Sequence, residues 1–267
     1  MNPAAPLRYG RIAFVNVAPV ETAFDAGAVA RDVTVVRDTP TRLNARLLAG
    51  ELDVAAISSA AYVAHRDELT LLGDLCIAAA GPVRSVLLVS PVPPALLDGV
   101  PIAVTTQSAT ARALLQILLE RVQGVRPRYD EVDDAPAAVR AGRPARLIGD
   151  EALAARRASP PACIYDLGEA WYAWTSLPFV YAVWAVRKDA LTARPVEVAA
   201  LASALAEARA WGAAHREAVI DSAFAQLPFH RGLYVDYFNR LTHVLDADAR
   251  RGLERFAELT EEDRVAR

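Results

Sequence analysis

The sequence predicts an α/β protein with two lobes, each built on a mixed sheet flanked by helices, and a cleft between the lobes. Strand-like and helix-like segments alternate from residue 11 to residue 66, and the alternation begins again between residues 94 and 180. A proline-rich break at residues 91–94 follows an apolar strand at 84–90. Alternation of this kind is typical of sheets covered by helices, and such a break is a candidate domain crossing.

The first lobe is predicted from three strand-and-helix units. Its strands and helices are expected at 11–17, 33–37, 40–50, 54–57 and 60–66. Pro40 and Gly50 mark the start and the end of one helix, because proline fits the first helical turn and glycine fits the position after the last.

The second lobe repeats the pattern before the chain returns to the first. Its segments are expected at 102–105, from 108 onward, at 146–148, through 157 and at 163–165. A strand at 179–186 carries the chain back, and the remainder from Arg194 is helical. We therefore predict residues 1–90 and 184–267, with the C-terminal helices, as lobe 1, and residues 91–183 as lobe 2.

Two lobes joined by crossing strands, here 84–90 and 179–186, are the architecture of the type II periplasmic-binding-protein fold. Ligands of such folds bind in the cleft, against strand ends and helix starts. Trp171, Trp174 and Trp184 either line this cleft or pack in the core.

Composition excludes several classes of protein. The net charge of −3 and the pI near 5.9 give no basic surface for nucleic acid. The longest apolar run, 76–83, is too short for a membrane helix, and the N-terminal segment lacks a secretion signal, so we expect a cytoplasmic protein. Cys76 and Cys163 are expected to be buried free thiols, and scattered histidines give little support for a metal site.

A run of small polar residues from Thr105 to Thr110 separates an apolar strand from an apolar helix. Free N–H groups at a helix start favour a carboxylate or a phosphate, and hydroxyls add donors. The run therefore predicts one wall of an anion pocket. An ordinary helix N-cap has about equal weight when the run is considered alone.

Other predicted strands also end in polar residues. These candidate residues are Asn16, Ser58, Ser59, Ser85, Gly149 and Asp150. Five polar strand ends around one cleft are expected to bind one ligand. Each also has a local alternative: Asn16 as a turn former, either serine of the pair as a helix cap, and Asp150 as the cap of the helix that follows it.

The chain resembles the chorismate dehydratases that begin the futalosine route to menaquinone. The resemblance is carried by the ordered motifs IAFVNVAP (12–19), LDVAAISS (52–59), GPVRSVLL (81–88), TQSAT (106–110), LIGD (147–150), YDLG (165–168) and LPFV (177–180). The chain departs from the family pattern at Ala61, where Glu is common, and at Ala111, where Ser is common. The sister enzyme of the pathway, which makes a dihydroxynaphthoate, usually opens with a Ser-Pro-Cys-Pro-Asn type segment that residues 14–16 do not match.

The resemblance implies removal of water from chorismate to give 3-(1-carboxyvinyloxy)benzoate, with no metal or organic cofactor. It implies Asn16 at the reacting centre, either as the proton acceptor or, because a neutral amide is an unusual base, as a group that orients substrate or water. On chemical grounds Asp150 is the rival proton acceptor. Hydroxyls and helix N-termini suit the two substrate carboxylates. The expected substrate-binding residues are Ser58, Ser59, Ser85, Thr106, Gln107, Ser108, Ala109, Thr110 and Gly149.

Three other functions remain open from the sequence. The main rival is a small-anion binding protein without catalysis, against which the lack of a secretion signal and a lipid-anchored cysteine argues. The sister dihydroxynaphthoate-forming enzyme is a second. A ligand-sensing domain of a transcription factor is a third, but no helix-turn-helix precedes residue 11 and the charge is unsuitable.

Overall fold

The computed structural model describes residues 5–155 and 163–265, which fall into two compact units. Unit 1 comprises the residues up to Ile77, Ala182–Phe238 and His243–Leu245. Unit 2 comprises Ala78–Tyr181, Asn239–Thr242 and the residues from Asp246 onward.

Strands and helices alternate along most of the chain. The strands are β1 (Leu7–Ile12), β2 (Val33–Asp38), β3 (Val54–Ser58), β4 (Leu69–Ala79), β5 (Val86–Ser90), β6 (Pro101–Val104), β7 (Arg128–Glu131), β8 (Ala145–Ile148), β9 (Cys163–Asp166), β10 (Phe179–Arg187) and β11 (Leu241–Val244). The helices are α1 (Ala18–Asp25), α2 (Pro40–Leu48), α3 (Ser59–Ala64), α4 (Ala109–Ile117), α5 (Ala135–Arg140), α6 (Gly149–Ala155), α7 (Leu167–Thr175), α8 (Lys188–Ala193), α9 (Pro195–Ala214), α10 (Arg216–Gln226), α11 (Arg231–Arg240) and α12 (Ala247–Val265).

Both sheets are mixed. The six-stranded sheet has the order β11-β4-β10-β3-β1-β2, in which β1 is parallel to β2 and β3 while β10 is antiparallel to β3. The five-stranded sheet has the order β7-β6-β8-β5-β9, in which β6 is parallel to β7 and β8 while β5 is antiparallel to β8 and β9. The predicted α/β class with mixed sheets and flanking helices is confirmed.

The core of unit 1 follows the apolar pattern of the sequence. Helix α2 begins at Pro40, and Gly50 follows it with a φ of +75°, as its predicted start and end require. Its Leu43 and Leu47 are fully buried against β1 and β3. On β10, the Trp184 indole N–H donates to the Tyr9 hydroxyl (2.7 Å), which itself donates to buried Glu21 (2.6 Å). Trp184 is therefore a core residue.

Unit 2 packs its aromatic residues around the start of β10. Trp171 is fully buried, with its ring 5.0 Å from that of Phe179, whereas Trp174 is partly exposed. Phe256 of α12 contacts Phe179 with 5.2 Å between ring centroids, and Gly252 lies so close to the Pro178 carbonyl that a Cβ would clash with it. These contacts join the last helix to unit 2.

Two features differ from the sequence-based description of the chain. The sequence places a crossing strand at 84–90, whereas β5 pairs with β8 and β9 inside the second sheet and the chain passes from unit 1 to unit 2 within β4. Residues 78–90 and α12 also belong to unit 2, whereas the predicted boundaries put them in lobe 1. The amphipathic pattern of α12 shows that it has a buried face but not which sheet covers that face.

Within residues 5–155 and 163–265, no helix is both long and apolar enough to cross a bilayer. The same residues contain no cluster of three or more His, Cys, Asp or Glu side chains suited to a metal ion. Neither Cys76 nor Cys163 forms a disulfide, as expected; Cys76 is buried as predicted, whereas Cys163 is only half-buried.

Candidate active site

Asn16 lies in a short 3₁₀ turn, Val15–Val17, that links β1 to α1. Pro19 in the first turn of α1 fixes the start of that helix. The side-chain Oδ1 of Asn16 is buried and has no hydrogen-bond partner among the described residues. Because a buried amide oxygen without a partner is costly, this atom is a candidate contact for a ligand.

The backbone of this turn is held by a histidine from the far end of the chain. His243 on β11 has its Nε2 2.8 Å from the Asn16 carbonyl oxygen. Burial, with a smaller contribution from the positive charge of Arg209, lowers the pKa of His243 to about 4. The ring is therefore neutral at neutral pH, and its Nε2 carries the proton because a carbonyl only accepts.

Ser58 and Ser59 lie at the junction of β3 and α3. The Ser58 hydroxyl caps α3 by accepting from the Ala61 N–H (3.3 Å) and also accepts from the Asn44 side chain (2.9 Å). Asn44 in turn accepts from the Ser58 N–H at 3.1 Å. Ser58 thus caps a helix, which was the local alternative to ligand binding in the sequence analysis. Ser59 Oγ is buried without a hydrogen-bond partner among the described residues.

Asn16 and Ser58 share one edge of the first sheet. β1 and β3 are parallel neighbours, so the residues after their carboxyl ends emerge on the same side. Asn44 joins them through Ser58, a role that the sequence motifs did not assign to it.

In unit 2, residues 105–108 turn the chain from β6 into α4. The Ser108 hydroxyl caps α4 by accepting from the Ala111 N–H at 3.2 Å. Thr106 and Ala109 are exposed, Gln107 and Ser108 are half-buried, and Thr105 and Thr110 are buried. Residues Thr106 to Ala109 are therefore the accessible part of this turn.

A buried arginine donates hydrogen bonds to two backbone carbonyls of this turn. Arg146 on β8 donates through Nη1 to the Ser108 carbonyl at 2.9 Å, and through Nη2 to the Thr105 carbonyl. Sequence reasoning treated Arg146 only as part of a strand. The available signal was a single charged residue inside the apolar strand Ala145–Ile148.

Ser85, Gly149 and Asp150 lie close to this turn in the second sheet. The Gly149 N–H donates to the Ser85 carbonyl at 2.7 Å, and Asp150 is half-buried in the first turn of α6. Gly149 has a left-handed φ of +53°, a backbone conformation that glycine adopts without steric cost. Since β6 and β8 are parallel neighbours, Thr105 and Gly149 emerge at the same edge of the sheet.

Asp166 fixes the backbone of the two residues before Ser85. Its carboxylate accepts from the N–H groups of Val83 (3.1 Å) and Arg84 (2.8 Å), and it also caps α7 through Gly168 and Glu169. Arg84 has a left-handed φ of +69°, which these two bonds help to hold. Asp166 was quoted in a sequence motif without this role.

Comparison with known proteins identifies the family. A family model described as menaquinone biosynthesis matches residues 7–262. A chorismate dehydratase of Thermus thermophilus is 34% identical over 239 residues, which cover 84% of this chain and 85% of the relative.

Solved structures show the same fold at low sequence identity. A protein of Archaeoglobus fulgidus has a TM-score of 0.80 at 20% identity, covering 98% of this chain and 99% of its own. The periplasmic aliphatic sulphonate binding protein of Escherichia coli has a TM-score of 0.69 at 16% identity, covering 97% and 92%. The fold is thus periplasmic-binding-protein-like, and by its sequence the chain belongs to the menaquinone biosynthesis family.

Proposed function

We propose that this protein is a chorismate dehydratase, a carbon–oxygen lyase that removes water from chorismate to give 3-(1-carboxyvinyloxy)benzoate. The observation that carries the proposal is the 34% identity to a chorismate dehydratase over 84% of the chain. The match of residues 7–262 to the menaquinone biosynthesis family agrees with it. We also propose that the enzyme works in the cytoplasm on this dicarboxylate, as a biosynthetic enzyme.

The chemistry requires little beyond binding and one proton transfer. The proton on C3 of chorismate is acidified through the conjugated C1 carboxylate, hydroxide leaves from C4, and the ring becomes aromatic. Proton and hydroxide together leave as water. The protein must hold two carboxylates, stabilise charge that moves onto the ring carboxylate, and accept the proton.

We assign the proton step to Asn16. Its buried Oδ1 has no described hydrogen-bond partner, so it is available to a substrate or to a water molecule that accepts the proton. A neutral amide is a weak base, and Asp150 is the rival acceptor because a carboxylate suits this role better on chemical grounds alone. Asn16 is preferred because its turn is fixed by His243.

We assign carboxylate binding mainly to the second sheet. Thr106, Gln107, Ser108 and Ala109 offer N–H groups and hydroxyls around the start of α4. The other proposed substrate-binding residues of unit 2 are Ser85, Thr110 and Gly149, and those of unit 1 are Ser58 and Ser59. For Ser58, the hydroxyl proton remains available as a donor, since its oxygen accepts from Asn44 and Ala61.

The direct test is to mix purified protein with chorismate and follow the ultraviolet absorbance of chorismate, with chromatography of the product. Loss of chorismate with formation of the aromatic enol ether is the expected result. If chorismate binds but stays unchanged, the dehydratase proposal is wrong and the protein is a small-anion binding protein. If the protein instead forms a dihydroxynaphthoate from the substrate of the sister enzyme, that second activity replaces the first.

A further inference from the structure

Arg146 is a cation inside the core of unit 2. Its side chain is 0% exposed on β8, which lies between β6 and β5. A buried guanidinium is costly unless carboxylates and hydrogen bonds compensate it. The contacts around Arg146 therefore indicate what its charge does.

The hydrogen bonds of Arg146 go to backbone oxygens rather than to an acid. Nη1 and Nη2 donate to the carbonyls of Ser108 and Thr105, and Nη2 lies 3.5 Å from the Thr105 hydroxyl. Its buried Nε has no hydrogen-bond partner, and no ion pair joins Arg146 to a carboxylate among the described residues. Two carbonyls orient the guanidinium but do not neutralise it.

The charged neighbours leave this positive charge only partly balanced. Burial, followed by repulsion from Arg112, lowers the pKa of Arg146 to about 10, so it is still protonated at neutral pH. Glu151 attracts it, but burial and the nearby Asp134 raise the pKa of Glu151 itself. Arg112 is engaged in an ion pair with Glu131.

The same contacts help to orient the peptide groups of the turn, where the Ser108 carbonyl also accepts from the Arg112 N–H of α4 at 3.2 Å. In a trans peptide the carbonyl and the following N–H point in opposite directions. Because the Thr105 and Ser108 carbonyls face Arg146, the N–H groups of Thr106 and Ala109 point away from it. Those two residues are the exposed ones of the turn.

We propose that Arg146 is a positioning residue that aims the Thr106 and Ala109 N–H groups at a substrate carboxylate and supplies the positive charge that favours this anion. The identity of the anion as a carboxylate of chorismate rests on the proposed function. The orientation of the turn and the buried charge do not depend on it.

Two variants separate charge from packing. Arg146→Met removes the charge and the N–H donors but keeps an aliphatic side chain, and Arg146→Lys keeps the charge with fewer donors. We expect Arg146→Met to raise KM for chorismate and the Kd of 3-(1-carboxyvinyloxy)benzoate by roughly 30-fold or more, with kcat lowered less than about fivefold. Arg146→Lys is expected to recover at least about fivefold of that affinity. The control is Arg143→Met, which removes an exposed arginine of unit 2 paired with Asp130 and is expected to leave both values unchanged.

The pH dependence of Kd tests the role of charge within one variant. A buried lysine has a depressed pKa, so Arg146→Lys is expected to lose affinity as pH rises from about 6 to 9.5. In the unmodified protein, Arg146 has a pKa of about 10, so its Kd is expected to stay nearly constant up to about pH 8.5, and the two proteins are compared below that pH. This measurement needs only the lysine variant, and a circular dichroism spectrum and melting curve confirm that it is folded.

The outcomes distinguish this inference from the proposed function. The inference is wrong and the function stands if the protein converts chorismate but Arg146→Met binds the product as tightly as the unmodified protein does. The same conclusion follows if Arg146→Lys binds the product as tightly as the unmodified protein and its Kd does not change with pH. If chorismate is not converted but the aromatic dicarboxylate binds with the expected dependence on residue 146, the function is wrong and the inference stands. Equal loss of affinity in both variants at every pH also contradicts the inference, because only packing would then matter.

Discussion

Two turns of this protein are built alike but differ in charge. The Asn16 turn follows β1 in unit 1, and the Thr105–Ser108 turn follows β6 in unit 2. In each, a buried side chain from another part of the sequence donates to a backbone carbonyl, and that side chain is His243 in one and Arg146 in the other. The first donor is neutral and the second is cationic. One structural device therefore gives a neutral environment where we place the proton step and a positive one where we place a carboxylate.

Replacement of Asn16 is expected to have the largest effect. Asn16→Ala should lower kcat for chorismate by at least about 100-fold, because it removes the side chain to which we assign the proton step, with KM changed less than about threefold. Steady-state kinetics by ultraviolet absorbance measure both. The rival variant is Asp150→Asn. A greater loss of kcat in Asp150→Asn than in Asn16→Ala would move the proton step to unit 2 and remove this difference between the turns.

The neutral state of His243 predicts a pH dependence of stability. An unfolded histidine binds a proton near its ordinary pKa of about 6.5, whereas folded His243 does so only near pH 4. The unfolded state is therefore favoured as pH falls from about 6.5 to 4, and the free energy of unfolding should drop by about 3 kcal/mol across this window.

Urea unfolding at a series of pH values tests this expectation. His243→Gln, which keeps a donor for the Asn16 carbonyl, should remove most of this dependence. His230→Gln changes an exposed histidine and should leave the slope in place. An unchanged slope in His243→Gln would show that His243 is not the titrating group, and the two turns would then differ less than proposed.

Charge at the second turn is tested by Ser108→Asp. Aspartate caps helices as well as serine does, as Asp134 does at α5, so stability should change by less than about 0.5 kcal/mol. A carboxylate at this position should repel the substrate and raise KM roughly 10-fold. The matched control is Asp134→Ser, which exchanges the cap of another helix in the same unit and should not change KM. A normal KM in Ser108→Asp would exclude this turn from carboxylate binding.

The smallest effect on activity is expected from Tyr9→Phe. Removing the hydroxyl leaves the buried Trp184 N–H without its acceptor and takes one donor from Glu21, which keeps its ion pair with Arg31 (2.6 Å); the loss should cost about 2 kcal/mol of unfolding free energy. Because Tyr9 lies on β1, which leads into the Asn16 turn, this variant weakens unit 1 without touching Asn16. Normal kcat with a lower Tm is expected, and a large loss of kcat would mean that the Asn16→Ala result reflects general weakening of unit 1.

Local signals in the sequence were enough to predict many of the helices and strands. Pro40 and Gly50 delimited α2, and the polar run after Val104 located the start of α4, which the structure shows to be capped by Ser108. These features depend on neighbours within a few residues, where side-chain chemistry and backbone geometry act directly. β7 was missed because Asp130 and Glu131 make an exposed edge strand look like a solvated connection.

The amino-acid sequence by itself determined the α/β class, the family motifs and the polar residues at the strand ends, because these depend on local pattern and composition. Only the tertiary structure decided which side chains support them. His243 contacts a residue 227 positions away, and Arg146 holds a turn about 40 residues before it. Burial sets the protonation of His243 and leaves the charge of Arg146 only partly balanced, and burial is fixed by the packing of distant segments rather than by local sequence.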